Sequence, residues 1–175
     1  MTFKTSLWRF YLFFASCCLF GFAIITNPAA EPIVAKFSGV LVTASASAIA
    51  VCGGSVQVGG EEGTVLRHPT RGLGIEMKNG CNGINVTILL WSAMLAFPAT
   101  WMQKAKGLLI GTAAIQSINL IRFISLYYLF QYSQPLFDFA HKYLWESLIM
   151  LDALVIFWWW VQQVFRSRVA QSVPI

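Results

Sequence analysis

The sequence predicts an all-α polytopic membrane protein with about four transmembrane helices, one interfacial or re-entrant helix, and a small β-hairpin element on the outer face. Three observations carry this expectation. The 175-residue chain is 57% hydrophobic and only 11% charged, with a mean hydropathy of +0.65. A soluble domain usually has roughly a quarter of its residues charged, so lipid must cover much of this surface. Several segments approach the length of about 20 apolar residues that crosses a hydrocarbon core. Between Cys52 and Gly80 the texture changes to short β-prone pieces punctuated by glycine. The length allows one compact membrane domain, residues 1–175.

The first span runs from Leu7 to Thr26. Lys4 and Arg9 flank its apolar run, Phe10 to Ile25. That run is too long for a typical signal-peptide core and ends without a clear small-residue cleavage site, so it reads as a retained signal anchor. Pro28 and Pro32 then break the helix. The segment Ile33 to Val51 is rich in Ala and Ser, carries Lys36 and is only weakly hydrophobic.

Charge decides where that segment goes. If 33–51 lies on the surface, Lys4 and Arg9 share a side with Lys104 and Lys106 and with Arg166 and Arg168, and all the short basic flanks are cytoplasmic. If it spans, the later flanks move to the opposite side. The first arrangement is expected, with 33–51 as an interfacial or re-entrant helix on the outer face.

The outer loop, residues 52–80, follows. Gly53, Gly54, Gly59, Gly60 and Gly63 separate Ser55 to Val58 from Thr64 to Leu66, and Leu73 to Met77 alternates weakly. These signals predict a small hairpin; a flexible loop is the alternative. The remaining spans are Gly83 to Trp101, Gly107 to Phe130 and Tyr143 to Val164. The row Trp158, Trp159 and Trp160 reads as an anchor at the inner interface.

The net charge of +5 does not point to nucleic acid, because the basic residues are scattered beside apolar segments, where they set orientation. Cys17 and Cys18 lie inside an apolar run and read as small hydrophobes. Cys52 and Cys81 lie outside the runs. No C-x-x-C spacing occurs, so no metal site is expected, and no cofactor is implied.

The span 107–130 carries Thr112, Gln116, Asn119 and Arg122. At helical spacing these fall within about 120° of one another. An arginine in mid-membrane costs several kcal/mol unless paired or hydrated, so Arg122 should face the protein interior. It is expected roughly 12 Å below the outer end of its helix. The last span places His141, Trp145 and Asp152 on one face, with Asp152 about 16 Å deeper than His141.

Cys81 stands in Asn79-Gly80-Cys81-Asn82-Gly83 at the outer start of its span. The glycines let the backbone turn sharply and approach a substrate. A thiol at a helix N-terminus feels the positive end of the dipole, which favours the thiolate. The topology, chosen from basic flanks alone, puts Cys81, Arg122 and His141 on one side. A thiol nucleophile, a cation and a titratable base are what acyl transfer needs. In that reading Arg122 stabilises the developing oxyanion or orients the thiolate, and His141 is the general acid and base.

Each residue has a plainer reading. Cys81 could form a disulfide with Cys52, Arg122 could pair with Asp152, His141 could be an ordinary interfacial residue, and Asn119 could bind helix to helix. Two further functions remain open on the residues alone. One is a membrane thiol–disulfide protein using Cys52 and Cys81. The other is a non-enzymatic membrane subunit or small transporter.

At these residues the chain resembles the exosortase/archaeosortase family. The resemblance rests on Cys81-Asn82-Gly83 at the start of a span, on Asn119-Leu120-Ile121-Arg122 in a later span, and on His141 at the start of the last one. It covers about residues 50–165. Its shortness is similar to the compact exosortase H type. Asn82 stands where serine is common in the family, and extra leading spans found in many members are missing from this chain. The resemblance implies a membrane cysteine protease or transpeptidase of the bacterial or archaeal cytoplasmic membrane, with its site on the outer or periplasmic side. Cys81, Arg122 and His141 would be catalytic, with Asn82, Asn119 and Asp152 in substrate binding or support. The implied substrates are exported proteins whose C-terminal sorting signal has a recognition motif, a transmembrane helix and a basic tail. Their acyl group would pass to an acceptor amine, a lipid-linked nucleophile or water.

Overall fold

A computed structural model describes residues 3–172 of the chain, with side chains described from 7 to 169. The first helix, α1 (Phe3–Thr26), stops where Asn27 takes an extended conformation and accepts a hydrogen bond from the Ala29 N–H at 2.9 Å. A single 3-10 turn, Pro28–Ala30, leads directly into α2 (Glu31–Val51). Pro28 and Pro32 both sit in first turns, where a missing N–H costs nothing.

One face of α2 is buried, through Val34, Ser38, Leu41, Val42, Ser45 and Ile49. The Ser38 and Ser45 hydroxyls tolerate this because each donates to the carbonyl four residues back, at 2.9 and 2.8 Å. This face packs on the sheet and on the C-terminal part of α4. At Gly39 the helix touches backbone, and any side chain there would collide with the Glu62 carbonyl.

The sheet is a three-stranded antiparallel meander of β1 (Gln57–Gly59), β2 (Val65–Arg67) and β3 (Gly74–Glu76). Val58 pairs with Leu66, and Leu66 with Ile75. Leu66, Ile75 and Met77 point into the core. The expected hairpin is therefore extended by a third strand.

Next comes α3 (Ile84–Ala96), only 13 residues long. The expected span Gly83 to Trp101 is thus helical over about 20 Å, short of a hydrocarbon core of about 30 Å. The reason is local. Phe97 precedes Pro98 and is driven to the extended region, with ψ 138°. Thr100 and Gln103 then form a capping box that starts α4 (Trp101–Tyr132). Its 32 residues reach about 48 Å, so α4 outlasts any bilayer. After the extended Ser133, α5 (Gln134–Phe139), a π-helical turn at Ala140–Leu144 and α6 (Trp145–Ser172) run as one helical stretch. This stretch begins well before the expected Tyr143.

Among the described residues, four helical stretches are long and apolar enough to cross a membrane: Leu7–Thr26, Pro28–Val51, Trp101–Tyr132 and Gln134–Val169. The expected number holds, but its membership differs. The segment read as interfacial has the length of a span, and the short α3 does not.

Two apolar cores result. One lies at the far end of α4, among α2, the sheet and Ala140. The other joins α3, α4 and α6 through Leu90, Met94, Ile115, Ile149 and Trp160. Trp160 is 3% exposed, whereas Trp158 and Trp159 are 63% and 43% exposed. Its indole lies against Gly107, and its Nε1 donates to the Gln103 carbonyl at 3.0 Å. Trp160 is therefore a packing residue and not, as expected, part of an interfacial anchor.

The basic flanks gather where α3 ends. Lys104 donates to the Leu95 carbonyl and Arg168 to the Pro98 carbonyl. The side chain of Lys4 lies outside the described residues.

The Gly107 contact makes a direct prediction. Gly107→Leu drives a side chain into the Trp160 indole, and overpacking of this kind costs about 1–3 kcal/mol. Detergent-solubilised protein should unfold several degrees lower. Leu109→Ala, at a position 75% exposed on the same helix, should leave the midpoint within about a degree.

Candidate active site

The thiol of Cys81 is carried by a turn linking β3 to α3. The Cys81 N–H donates to the Lys78 carbonyl at 3.0 Å. Gly80 and Gly83 adopt φ of +96° and +75°, a left-handed conformation that glycine enters without strain. The helix itself begins at Ile84, with Gly83 as its N-cap. Cys81 thus lies ahead of the first turn, and not at the helix N-terminus as expected. The dipole falls off within one turn, so neighbouring side chains must do most of the electrostatic work.

Asn82 is fully buried and pins the turn. Its Oδ1 accepts from the Ile84 N–H at 3.2 Å, and its Nδ2 donates to Ser38 Oγ on α2 at 3.1 Å. It is a bracket between α2 and α3, and it does not line the cavity beside the thiol.

On the other side a polar seam joins α3 to α4. Trp91 Nε1 donates to Thr112 Oγ1 at 2.8 Å, and Gln116 Nε2 to Thr87 Oγ1 at 3.4 Å. Next along, Gly83 packs so closely on α4 that an added Cβ would stand 3.2 Å from Gln116 Nε2 and 3.4 Å from the Asn119 amide. One step further, Arg122 meets Cys81 across a shared cavity. The polar face of α4 expected from spacing is therefore the face against α3, in antiparallel register.

Asn119 is completely buried, and neither its Oδ1 nor its Nδ2 has a protein partner; Gln116 Oε1 is likewise unpaired. Both side chains back the thiol-bearing turn without facing the cavity.

His141 arrives from the π-helical turn. A π turn carries an extra residue, which rotates the side chains that follow relative to a regular helix. The His141 ring stacks on Phe137, with centroids 5.5 Å apart and planes at 16°. Its Nε2 lies 3.6 Å from Cys81 Sγ. Arg122 and Lys142, and Glu146 and Asp138, are the charges that act on this ring.

Cys81, Arg122 and His141 line one cavity of about 40 Å³, together with Ile75, Glu76, Phe123, Leu126 and Phe137. That volume holds a water or a carbonyl group. Arg122 is 7% exposed, and its side chain makes no ion pair or hydrogen bond among the described residues. A buried guanidinium without a partner is costly. Here it lines the cavity beside the thiol.

Asp152 is half-buried on α6 and pairs with nothing among the described residues. The plainer alternative of an Arg122–Asp152 ion pair is not formed, and Asp152 stands apart from the cavity. Cys52 and Cys81 are both free thiols, with Cys52 exposed at the end of α2.

Five lining residues were not singled out in the sequence: Ile75, Glu76, Phe123, Leu126 and Phe137. Glu76 could have been found from strand alternation, since Ile75 and Met77 on either side are buried. Phe137 lies one turn before His141, but Pro135 masked the helix that carries both.

Compared with protein families, with curated proteins and with solved structures, the chain matches none of them.

The Asn82 bracket can be measured. Asn82→Ala removes a buried hydrogen-bond partner and should cost about 1–3 kcal/mol in unfolding of the detergent-solubilised protein. In a double-mutant cycle with Ser38→Ala, the pair should show a coupling of about 1 kcal/mol. Additive effects would mean that the Asn82–Ser38 contact contributes nothing.

Proposed function

We propose that this chain is a polytopic membrane cysteine protease or transpeptidase, of the exosortase type, that acts through a Cys81 acyl-enzyme. The observation that carries this reading is the 3.6 Å approach of Cys81 Sγ to His141 Nε2 in a cavity shared with an unpaired, buried Arg122. Neither contact was available from the local sequence, and residues 60 apart in the chain meet at the point where acyl transfer needs them.

The chemistry follows from the geometry. His141 Nε2 takes the proton of the Cys81 thiol, and Sγ attacks a peptide carbonyl carbon. The C–S bond forms, and the carbonyl electrons move to oxygen, beside the Arg122 guanidinium. On collapse the C–N bond breaks, and the imidazolium gives its proton to the departing amine. The thioester left on Cys81 is then opened by water or by an acceptor nucleophile. The small apolar-walled cavity strengthens each of these charge interactions by excluding bulk water.

The four long apolar stretches support a multi-pass membrane protein. Thiol and basic flanks lie at opposite ends of α3. With the basic flanks inside, the site faces the outer or periplasmic side of a bacterial cytoplasmic membrane. In this reading α2, although long enough to span, lies with the sheet over the outer end of α4. The substrates are exported proteins with a C-terminal motif, a transmembrane helix and a basic tail, which would bring the scissile bond to the membrane rim.

Cells expressing Cys81→Ala should accumulate such a substrate uncleaved at normal enzyme levels, while Cys52→Ala should process it normally. His141→Ala and Arg122→Gln should each slow processing at least about 100-fold. Processing that survives Cys81→Ala rules the mechanism out. Loss in both cysteine variants points instead to a required Cys52–Cys81 disulfide.

A further inference from the structure

A groove opens beside the thiol cavity, between the α1–α2 junction, the start of α2 and the β1–β2 and β3–α3 connections. It is lined by Glu31, Glu61, Glu62 and Glu76, with Lys78 as its cation. Four of the seven acidic residues of a chain with net charge +5 therefore lie in one groove. Such a groove concentrates cations and repels anions.

Glu76 belongs to both spaces. It ends β3, is exposed while Ile75 and Met77 beside it are buried, and lines the small cavity with Cys81, His141 and Arg122. Glu76 and Arg122 face the same cavity and form no ion pair. Opposite charges held apart in a confined space leave room for a reacting group between them. Arg122 is suited to an oxyanion, and Glu76 to a cation arriving from the groove.

We propose that Glu76 is the acceptor-specificity residue of this site: it holds an incoming protonated primary amine at the mouth of the cavity and favours transfer to an amine over hydrolysis. This rests on the acyl-enzyme reading above. The ammonium gives one proton to His141, and the freed nitrogen lone pair attacks the Cys81 thioester carbon. The C–N bond forms while the carbonyl electrons shift to oxygen, beside Arg122. The attacking nitrogen releases its second proton to water in the open groove, and collapse restores the C=O and breaks the C–S bond. Cys81 leaves as thiolate and is reprotonated by His141. The product is an amide, and no oxidant, reductant or metal is consumed.

The test uses full-length enzyme reconstituted in vesicles with an exported substrate bearing the C-terminal signal. The acyl group on Cys81 is first detected by mass. Glycinamide, largely cationic at neutral pH, and hydroxylamine, largely uncharged there, then compete for that acyl-enzyme. Their product ratio does not depend on how much enzyme folded or acylated. Glu76→Gln should lower the glycinamide-to-hydroxylamine ratio about fivefold, the effect of roughly one ion pair, and Glu76→Asp should restore most of it. An unchanged ratio in Glu76→Gln overturns the acceptor role while leaving the acyl-enzyme standing. No acyl group on wild-type Cys81 overturns the acyl-enzyme reading, and the acceptor role falls with it.

Discussion

The register between α3 and α4 is the constraint on which the site depends. A helix of 13 residues has too little apolar area to be held in place by lipid contact alone. Its position comes from hydrogen bonds and from close backbone approach, as is usual for helix pairs in an apolar medium. Trp91 to Thr112, Thr87 to Gln116 and Gly83 to Asn119 are successive rungs of one antiparallel seam. Extending that seam by one more step brings Cys81 level with Arg122. A slip of α3 by one turn would move Cys81 by about 5 Å relative to Arg122.

The glycines matter for the same reason. Gly83 supplies a left-handed cap and also the absence of a side chain, and both are needed for α4 to come close. Gly107 does the equivalent work at the other end of α4, where the Trp160 indole lies on it. Between these two points α4 is fixed against both α3 and α6.

The buried charge explains the cap that α2 and the sheet form over the end of α4. Arg122 lies ten residues before the end of α4, so the helix continues past it into α2 and the sheet. Phe123, Leu126 and Tyr127 join the core formed there with Leu66, Ile75 and Met77. This cap buries most of Arg122 and leaves it lining the cavity beside the thiol. The same sheet delivers Glu76 to that cavity. An overlong α4, a small sheet and a helix laid across them are thus one device, whose effect is a small cavity lined by charged groups next to a thiol.

Much of this was legible in the sequence. Composition alone, with 11% charged residues, predicts the long apolar helices that the structure contains. The helix break at Pro28 follows from a ring that removes a donor and restricts its neighbour, whereas the expected span Gly83 to Trp101 ran through the break before Pro98. The polar face of α4 follows from spacing, and Cys81, Arg122 and His141 stand out because ionisable and nucleophilic groups are rare in such a chain. Tertiary structure decided the rest. Whether His141 reaches the thiol depends on a π turn, which no periodicity signals. Whether Arg122 pairs with Asp152 depends on the rotation of α6 relative to α4. Asn82 looks like a substrate contact until Ser38, 44 residues away, is found to hold it. The distinction has a simple physical basis. Hydrophobicity and backbone stereochemistry act locally and can be read along the chain, whereas the meeting of two side chains depends on the packing of every helix between them.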